Sequence, residues 1–384
     1  MVSAHDGVVL DHSAGQVTYR PGHDLVVSYR ATVRWADGSV ADETLLAATA
    51  TDGPIDGTIR VEADGLSVGV WRYPYDPVLP GLDAAVRATG VAELLDEDPA
   101  SLALDVRAYW PTRRAVVQVR RAGGRDRFVK VLPPHRIPPV VERHARLRRA
   151  GVPVPEVLHA DEVRGLVVLD AAAGTELRSR VTGAGLLATP SALLDVVSAF
   201  ASVDLPPADR PRPGLVEAAP RHGAVLRIVA PHLAPAVADV LRRVDALDLA
   251  GGEAPGAHGD LHDAQIFVDE KGRVSGVLDV DDASPGDPVD DLARLVAHLV
   301  ALSVAVGSGG ERTASASRAA RYARQLDRTF GSAVGPRALR GRVAAALVGL
   351  ATGPFRVQDP TWAQSVDRLV RSASNWARLA DRAR

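Results

Sequence analysis

The chain has 384 residues, 46% of them hydrophobic and 24% charged, which argues for a packed core and against global disorder. A formal net charge of −2 leaves no basic footprint for nucleic acid. Cysteine is absent, which removes disulfides, thiolate metal sites and a cysteine nucleophile, and fits a cytoplasmic location.

Residues 1 to about 85 read as β-rich. GQVTYRP, DLVVSYRATVRW, GTIRVEA and LSVGVWRY are short strand-like runs separated by PG and DG turns. The opening MVSAHDGVVLDH lacks a basic start and a long apolar run, so no secretory signal is expected there. LDAAVRATGVAELL (82–95) reads as a helix, followed by the acidic loop DEDPAS. A second β-rich piece follows, with strands in SLALDVRAYW, RAVVQVRRA, DRFVKVL and GLVVLDA. Between them PPVVERHARLRRAG (138–151) reads as a helix ended by Gly151, with Pro153 and Pro155 beyond it.

From about residue 171 the pattern turns helical. SALLDVVSAFASV, APAVADVLRRVDAL, PVDDLARLVAHLVALSV, SRAARYARQLDRTF, ALRGRVAAALVGL and WAQSVDRLVRSASNWARLA carry helical periodicity. The most apolar run, LVAHLVALSVAV (295–306), is too short to cross a bilayer and reads as a buried helix. One charged hairpin interrupts the helices, HGDLHDAQIFVDEKGRVSGVLDVDDASPGDPVDD (258–291). Strands first and helices after predict an α+β fold, with β-rich parts over 1–95 and 96–170 and a helical part over 171–384.

Within the hairpin, a two-residue turn at Lys271 and Gly272 predicts that Glu270 pairs with Arg273, Val268 with Ser275 and Ile266 with Val277. The same register sets Asp279 beside Ala264 and Gln265, at about the 5 Å of cross-strand neighbours. A carboxylate beside an amide carbonyl makes a hard-oxygen site suited to Mg²⁺. Asp260 is then left to accept a proton from a nucleophile. Lysine occurs only at Lys130 and Lys271 in an arginine-rich chain. That scarcity singles out both as sites where a compact point charge matters, although codon bias gives the same pattern.

HGDLHDAQ resembles the H-G-D-x-H-x-x-N catalytic loop of the aminoglycoside phosphotransferase and choline kinase group, relatives of the protein kinases. VLDVDD is similar to the hydrophobic-Asp segment that follows it there, and GDPVDDLA (286–293) to the G-D-P-x-x-D-L-A tail of the group. The resemblance implies a bilobal protein-kinase-like fold and an ATP- and Mg²⁺-dependent small-molecule kinase. Asp260 takes the place of the catalytic base, and Gln265 and Asp279 those of the metal ligands. Lys130, in FVKV, takes the place of the lysine that grips the α- and β-phosphates. Glu142, the one acid between residues 131 and 155, takes that of its partner. Backbone groups at Asp170, Ala171 and Ala172 stand where adenine binds. WPTRR (110–114) stands where a glycine-rich turn covers phosphates; it has no glycine, so Arg113 and Arg114 substitute in part. His262, Asp281 and Asp282 fall on the acceptor side, His258 orients the loop, and Asp287 and Asp291 cap or tie the next helix.

Gln265 departs from the asparagine of the group. The H-G-D-x-H-x-x-Q form resembles actinobacterial maltokinases and glucosamine kinases, which also carry an extra N-terminal cap. That implies a sugar or amino-sugar acceptor; the net charge and the short apolar run lead to no expected nucleic-acid or membrane partner. Three other readings stand beside it. One is an aminoglycoside or other small-molecule phosphotransferase. Another is a pseudokinase that holds nucleotide without transfer, favoured by Gln265 and the glycine-poor turn. The third is a dehalogenase-type phosphatase starting at LDVDDA, which lacks the lysine its scheme needs after Asp279.

Overall fold

The computed structural model describes residues 7–20, 24–50, 53–63, 65–209, 213–249, 252–304 and 310–383. Residues 1–6 of the opening stretch, the PG turn at 21–22, Asp64 of the last DG turn and residues 305–306 of the apolar run lie outside them.

Alternating apolar residues build the first antiparallel sheet from β1 (Val8–Arg20), β2 (Asp24–Arg34), β3 (Val40–Ala50), β4 (Ile59–Ala63) and β5 (Leu66–Arg72), in the order β1-β2-β3-β5-β4. The middle strand, β3, is missing from the sequence reading. VADETLLAATA breaks its alternation with acids and alanines that carry little strand preference. Pairing on both sides, to β2 and β5, holds it extended. Val26, Leu46, Ala48 and Trp71 form the core of this sheet.

The expected helix at 82–95 divides into α1 (Leu82–Ala85) and α2 (Ala88–Leu95). A second sheet follows: β6 (Leu102–Trp110), β7 (Arg114–Arg121), β8 (Arg127–Val131), then α3 (Ile137–Arg149), β9 (Val157–Asp161) and β10 (Leu166–Asp170), in the order β6-β7-β8-β10-β9. The edge strand β9 has no counterpart in the sequence reading, because VLHAD is short and half polar. The period of two along β10 sends its side chains to opposite faces. Leu166 and Val168 join Leu82, Val91 and Leu94 of α1 and α2 on one face. Val167 and Leu169 join Ile137 and Val140 of α3 on the other.

The helical part holds β11 (Thr175–Glu176), α4 (Leu177–Thr182), α5 (Pro190–Ala201), α6 (Leu215–Val229), α7 (Ala234–Asp245), β12 (Ala254–Ala257), β13 (Ile266–Val268), β14 (Val274–Val277), β15 (Ser284–Gly286), α8 (Pro288–Val304), α9 (Gly310–Val334), α10 (Pro336–Leu350), α11 (Gly353–Arg356) and α12 (Trp362–Asp381). Helix α6 escapes periodicity because Pro220 and Gly223 lie inside it. Gly223 has a packing reason: a Cβ there would come within 2.9 Å of Leu241 on α7.

The chain divides into two compact units. One is Met1–Val141 with Val157–Ala171 and Arg356–Pro360; the other is Glu142–Glu156 with Ala172–Phe355 and Thr361–Arg384. The architecture is α+β, as the element order predicts. No helix among the described residues is long and apolar enough to cross a membrane.

Candidate functional site

Residues 258–265 form a loop between β12 and β13. Gly259 sits at φ 79°, a conformation that glycine adopts without penalty. The buried His258 organises the chain around it. Its Nε2 donates to the Leu278 carbonyl at 2.8 Å, which leaves Nδ1 to accept the Asp260 amide at 3.3 Å. The Asp291 carboxylate accepts the amides of His258 at 2.7 Å and Gly259 at 2.8 Å. Of the two roles expected of it, cap or tie, Asp291 takes the tie, joining α8 to this loop. Asp287 does cap α8, accepting the Val289 amide at 2.9 Å, and also pairs with the buried Arg342 at 2.7 Å. Burial pushes the Asp291 carboxyl up, while His258, Arg294 and the two loop amides pull the other way.

Helix α8 supplies more than Asp291. Arg294 Nη1 lies 3.6 Å from Asp260 Oδ1. His298 stacks on His262, with ring centroids 4.4 Å apart and planes 13° from parallel. Asp291, Arg294 and His298 follow i, i+3, i+7, so one face of α8 backs the loop. The sequence reading assigned no loop contact to Arg294 or His298. The available signal was a polar stripe at helical spacing inside an otherwise apolar run.

The hairpin after the loop keeps part of its expected register. Ile266 does pair with Val277, but Val268 pairs with Val274 instead of Ser275. The turn accounts for the slip. Asp269 Oδ1 accepts the amides of Lys271 and Arg273, both at 2.9 Å, and the Asp269 amide donates to the Arg273 carbonyl. A side-chain-closed turn thus replaces the two-residue one. Asp269, not Glu270, is the backbone partner of Arg273, and their side chains form an ion pair at 2.7 Å. At the hairpin base the expectation holds: Leu278 donates to the Gln265 carbonyl at 2.8 Å, and Gln265 Nε2 lies 3.4 Å from Asp279 Oδ2. Asp279 adopts φ 61°, in the left-handed region.

The amide of Gln265 decides how well this pair suits a hard cation. Its Oε1 accepts the His262 amide at 3.2 Å while Nε2 faces Asp279. Turning the amide over would set two oxygens side by side, an all-oxygen pair of the kind Mg²⁺ takes, at the expense of the His262 bond. The donor set fits the ion on that condition. Asp281 is buried and Asp282 partly exposed just beyond it.

Asp263, between His262 and Gln265, has a fully buried side chain. Arg178 on α4 grips it with Nε at 2.8 Å and Nη2 at 3.1 Å. Burial alone would raise this carboxyl, yet the guanidinium holds it below its ordinary value. Burial lowers His262 and, aided by His262 itself, pushes His298 down to about 3. Ligand atoms of His262, Asp263 and His298 lie within 4.8 Å of one another. They make a poor metal cage, because Arg178 fills the carboxylate and His262 Nδ1 already accepts the Ala264 amide at 3.2 Å.

The other sequence candidates lie elsewhere on the chain. Lys130 is almost buried on β8, in register with Val116 and Val167. Glu142 Oε1 accepts Arg146 Nε at 3.1 Å and Nη2 at 2.5 Å, one turn along α3. Asp170 pairs with Arg127 and, at 3.3 Å, with Arg125. It also accepts the Ala171 amide at 2.9 Å, while Arg125 Nη2 donates to the Ala171 carbonyl at 2.9 Å. Ala172 is partly exposed. In the 110–114 turn, the Arg114 guanidinium lies 4.2 Å over the Trp110 ring and Arg113 is exposed. The sequence reading gave no role to Arg125 and Arg127; their signal was the RDR run directly before FVKV.

The model of the phosphotransferase enzyme family, APH, matches residues 111–340, more than half of the chain. The chain belongs to that family. Similar solved structures include a thermostable mutant of aminoglycoside phosphotransferase APH(4)-Ia in ternary complex with AMP-PNP and hygromycin B. It is 18% identical, with a TM-score of 0.51, over 75% of this chain and 98% of that one. An ethanolamine kinase from Plasmodium vivax is 10% identical, with a TM-score of 0.46, over 76% and 88%. A macrolide 2'-phosphotransferase from Brachybacterium faecium is 17% identical, with a TM-score of 0.43, over 76% and 97%. None of the curated proteins matches. The fold is kinase-like, as the motif order implied.

Proposed function

We propose that this chain is an ATP-dependent small-molecule kinase that transfers the γ-phosphoryl group to a hydroxyl of a sugar or amino sugar, glucosamine-like or maltose-like. One observation carries the reading. The HGDLHDAQ loop closes onto VLDVDD so that Gln265 meets Asp279 at 3.4 Å, inside the segment that matches the phosphotransferase family. The AMP-PNP bound by the similar aminoglycoside phosphotransferase supports ATP as the donor here. The chain is assigned to the cytoplasm, with no nucleic-acid or membrane partner. Residues 1–95 form its cap, 96–170 its nucleotide-gripping lobe and 171–384 its catalytic and acceptor lobe.

Asp260 orients the acceptor hydroxyl and takes its proton as the phosphoryl group passes to that oxygen and ADP departs. Arg294, 3.6 Å away, and the His258–Asp291 ties fix where that carboxylate sits. Lys130 holds the α- and β-phosphates and Glu142 orients it, with Arg113 and Arg114 adding charge from the phosphate turn. Backbone groups at Asp170, Ala171 and Ala172 receive adenine, and His262, Asp281 and Asp282 face the acceptor. Gln265 and Asp279 would hold Mg²⁺, which would supply positive charge against the phosphates. Most of the rate effect comes from positioning and fixed charge.

A nucleotide-binding module without transfer is the second reading. It is favoured by the Gln265 carbonyl being engaged with the His262 amide and by the absence of glycine from the 110–114 turn. ATP consumption against a panel of sugars, amino sugars and aminoglycosides, with products weighed by mass spectrometry, separates the two. Turnover that disappears in Asp260→Ala supports the kinase. Nucleotide binding with no phosphorylated product from any acceptor supports the module.

A further inference from the structure

Asp76 lies between β5 and α1, far from the catalytic loop in sequence, and is only 3% exposed. A buried carboxylate needs donors. Asp76 has three. Its Oδ1 accepts the Val78 amide at 2.9 Å, and its Oδ2 accepts the Tyr109 hydroxyl at 2.8 Å and the Thr112 amide at 2.8 Å. The last bond reaches into the middle of the 110–114 turn.

That turn has an unusual backbone. Thr112 sits at φ 62°, where β-branched residues are rarely found. Glycine would adopt this angle freely, and glycine is what the sequence lacks there. The conformation is held from outside instead. Asp76 takes the Thr112 amide on one flank. On the other, the Arg114 guanidinium lies 4.2 Å over Trp110, whose carbonyl accepts the Arg113 amide at 3.0 Å. Tyr109 braces Asp76 in turn, its ring 5.3 Å from Tyr73. Burial and the Asp76 charge both push the Tyr109 phenol up, so it stays a donor.

We infer that Asp76 is a positioning residue for the phosphate-covering turn. A carboxylate of the N-terminal part fixes the turn where glycines would otherwise let it find its shape. The inference rests on the kinase reading above, in which residues 110–114 lie over the nucleotide phosphates. It gives the N-terminal part a role in holding nucleotide. Without the Asp76–Thr112 bond, the turn relaxes from its left-handed kink and its amides no longer present the same face to phosphate. An asparagine at 76 cannot replace the carboxylate, since its NH₂ would meet one of the three donors.

The test compares binding of AMP-PNP with Mg²⁺ and of adenosine, by calorimetry, to the full chain and its variants. Adenosine shares the base and ribose but has no phosphate. Asp76→Ala, which removes all three bonds, is expected to weaken AMP-PNP about tenfold while adenosine stays within about twofold. Adding Thr112→Gly to it restores most of the loss, because glycine holds the kink without help. Tyr109→Phe removes only the brace on Asp76 and so loosens the Asp76–Thr112 bond; it makes the same comparison at about threefold, should Asp76→Ala fail to fold. Equal losses for both ligands, or none for either, in the folded variant would overturn the inference and leave the kinase reading intact. A wild-type chain that binds neither ligand would overturn both.

Discussion

Replacing His298 with glutamine will reduce this fold's sensitivity to mild acid. The imidazole is partly exposed by surface area, yet it lies flat on His262 at 4.4 Å, and its folded pKa falls to about 3. Burial is the first cause and the neighbouring His262 the second. In the unfolded chain the same group titrates near the ordinary value of about 6.5. The sign follows from proton counting. Below about pH 6.5 the unfolded chain binds a proton that the fold refuses, so stability drops as pH falls, down to the folded pKa. Between pH 7.5 and 5.0 this one group costs the fold about 2 kcal/mol. His262, lowered by burial in the same direction, adds to it. Urea unfolding of wild type and His298→Gln at the two pH values, at constant ionic strength, measures the difference. The wild type should lose about 2 kcal/mol more than the variant over this interval. Parallel losses would mean that His298 titrates normally in the fold and that the stacked pair is not held neutral.

Two other changes probe the loop. Gln265→Asn shortens the side chain by one methylene, so it cannot reach both the His262 amide and Asp279; turnover should persist at about 10- to 100-fold lower rate. Complete loss would show that the backbone spacing tolerates no shorter amide. Arg178→Met leaves the buried Asp263 carboxylate without its bidentate partner. Chemical unfolding at pH 7 should register a loss of about 3 kcal/mol, at the low end for such a pair because Arg178 keeps 40% of its side chain exposed. A loss below about 1 kcal/mol would mean that Asp263 is satisfied by other groups.

The sequence by itself determined the order of the architecture and the local part of the site. Strand runs precede helical runs because periods of two and 3.6 are written along the chain. Ile266 meets Val277, and Gln265 meets Asp279, because a short hairpin fixes its own register near the base even where Asp269 rewrites the turn. Only the tertiary structure decided which distant groups reach that loop. Arg178 grips Asp263 across 85 residues, Asp291 ties the amides of His258 and Gly259, and Asp76 takes the Thr112 amide across 36. Strand β3 likewise became visible only between its two neighbours. Periodicity tells which face of an element is apolar, not which element will cover it. A buried carboxylate finds its donors only after packing has removed water from the alternatives.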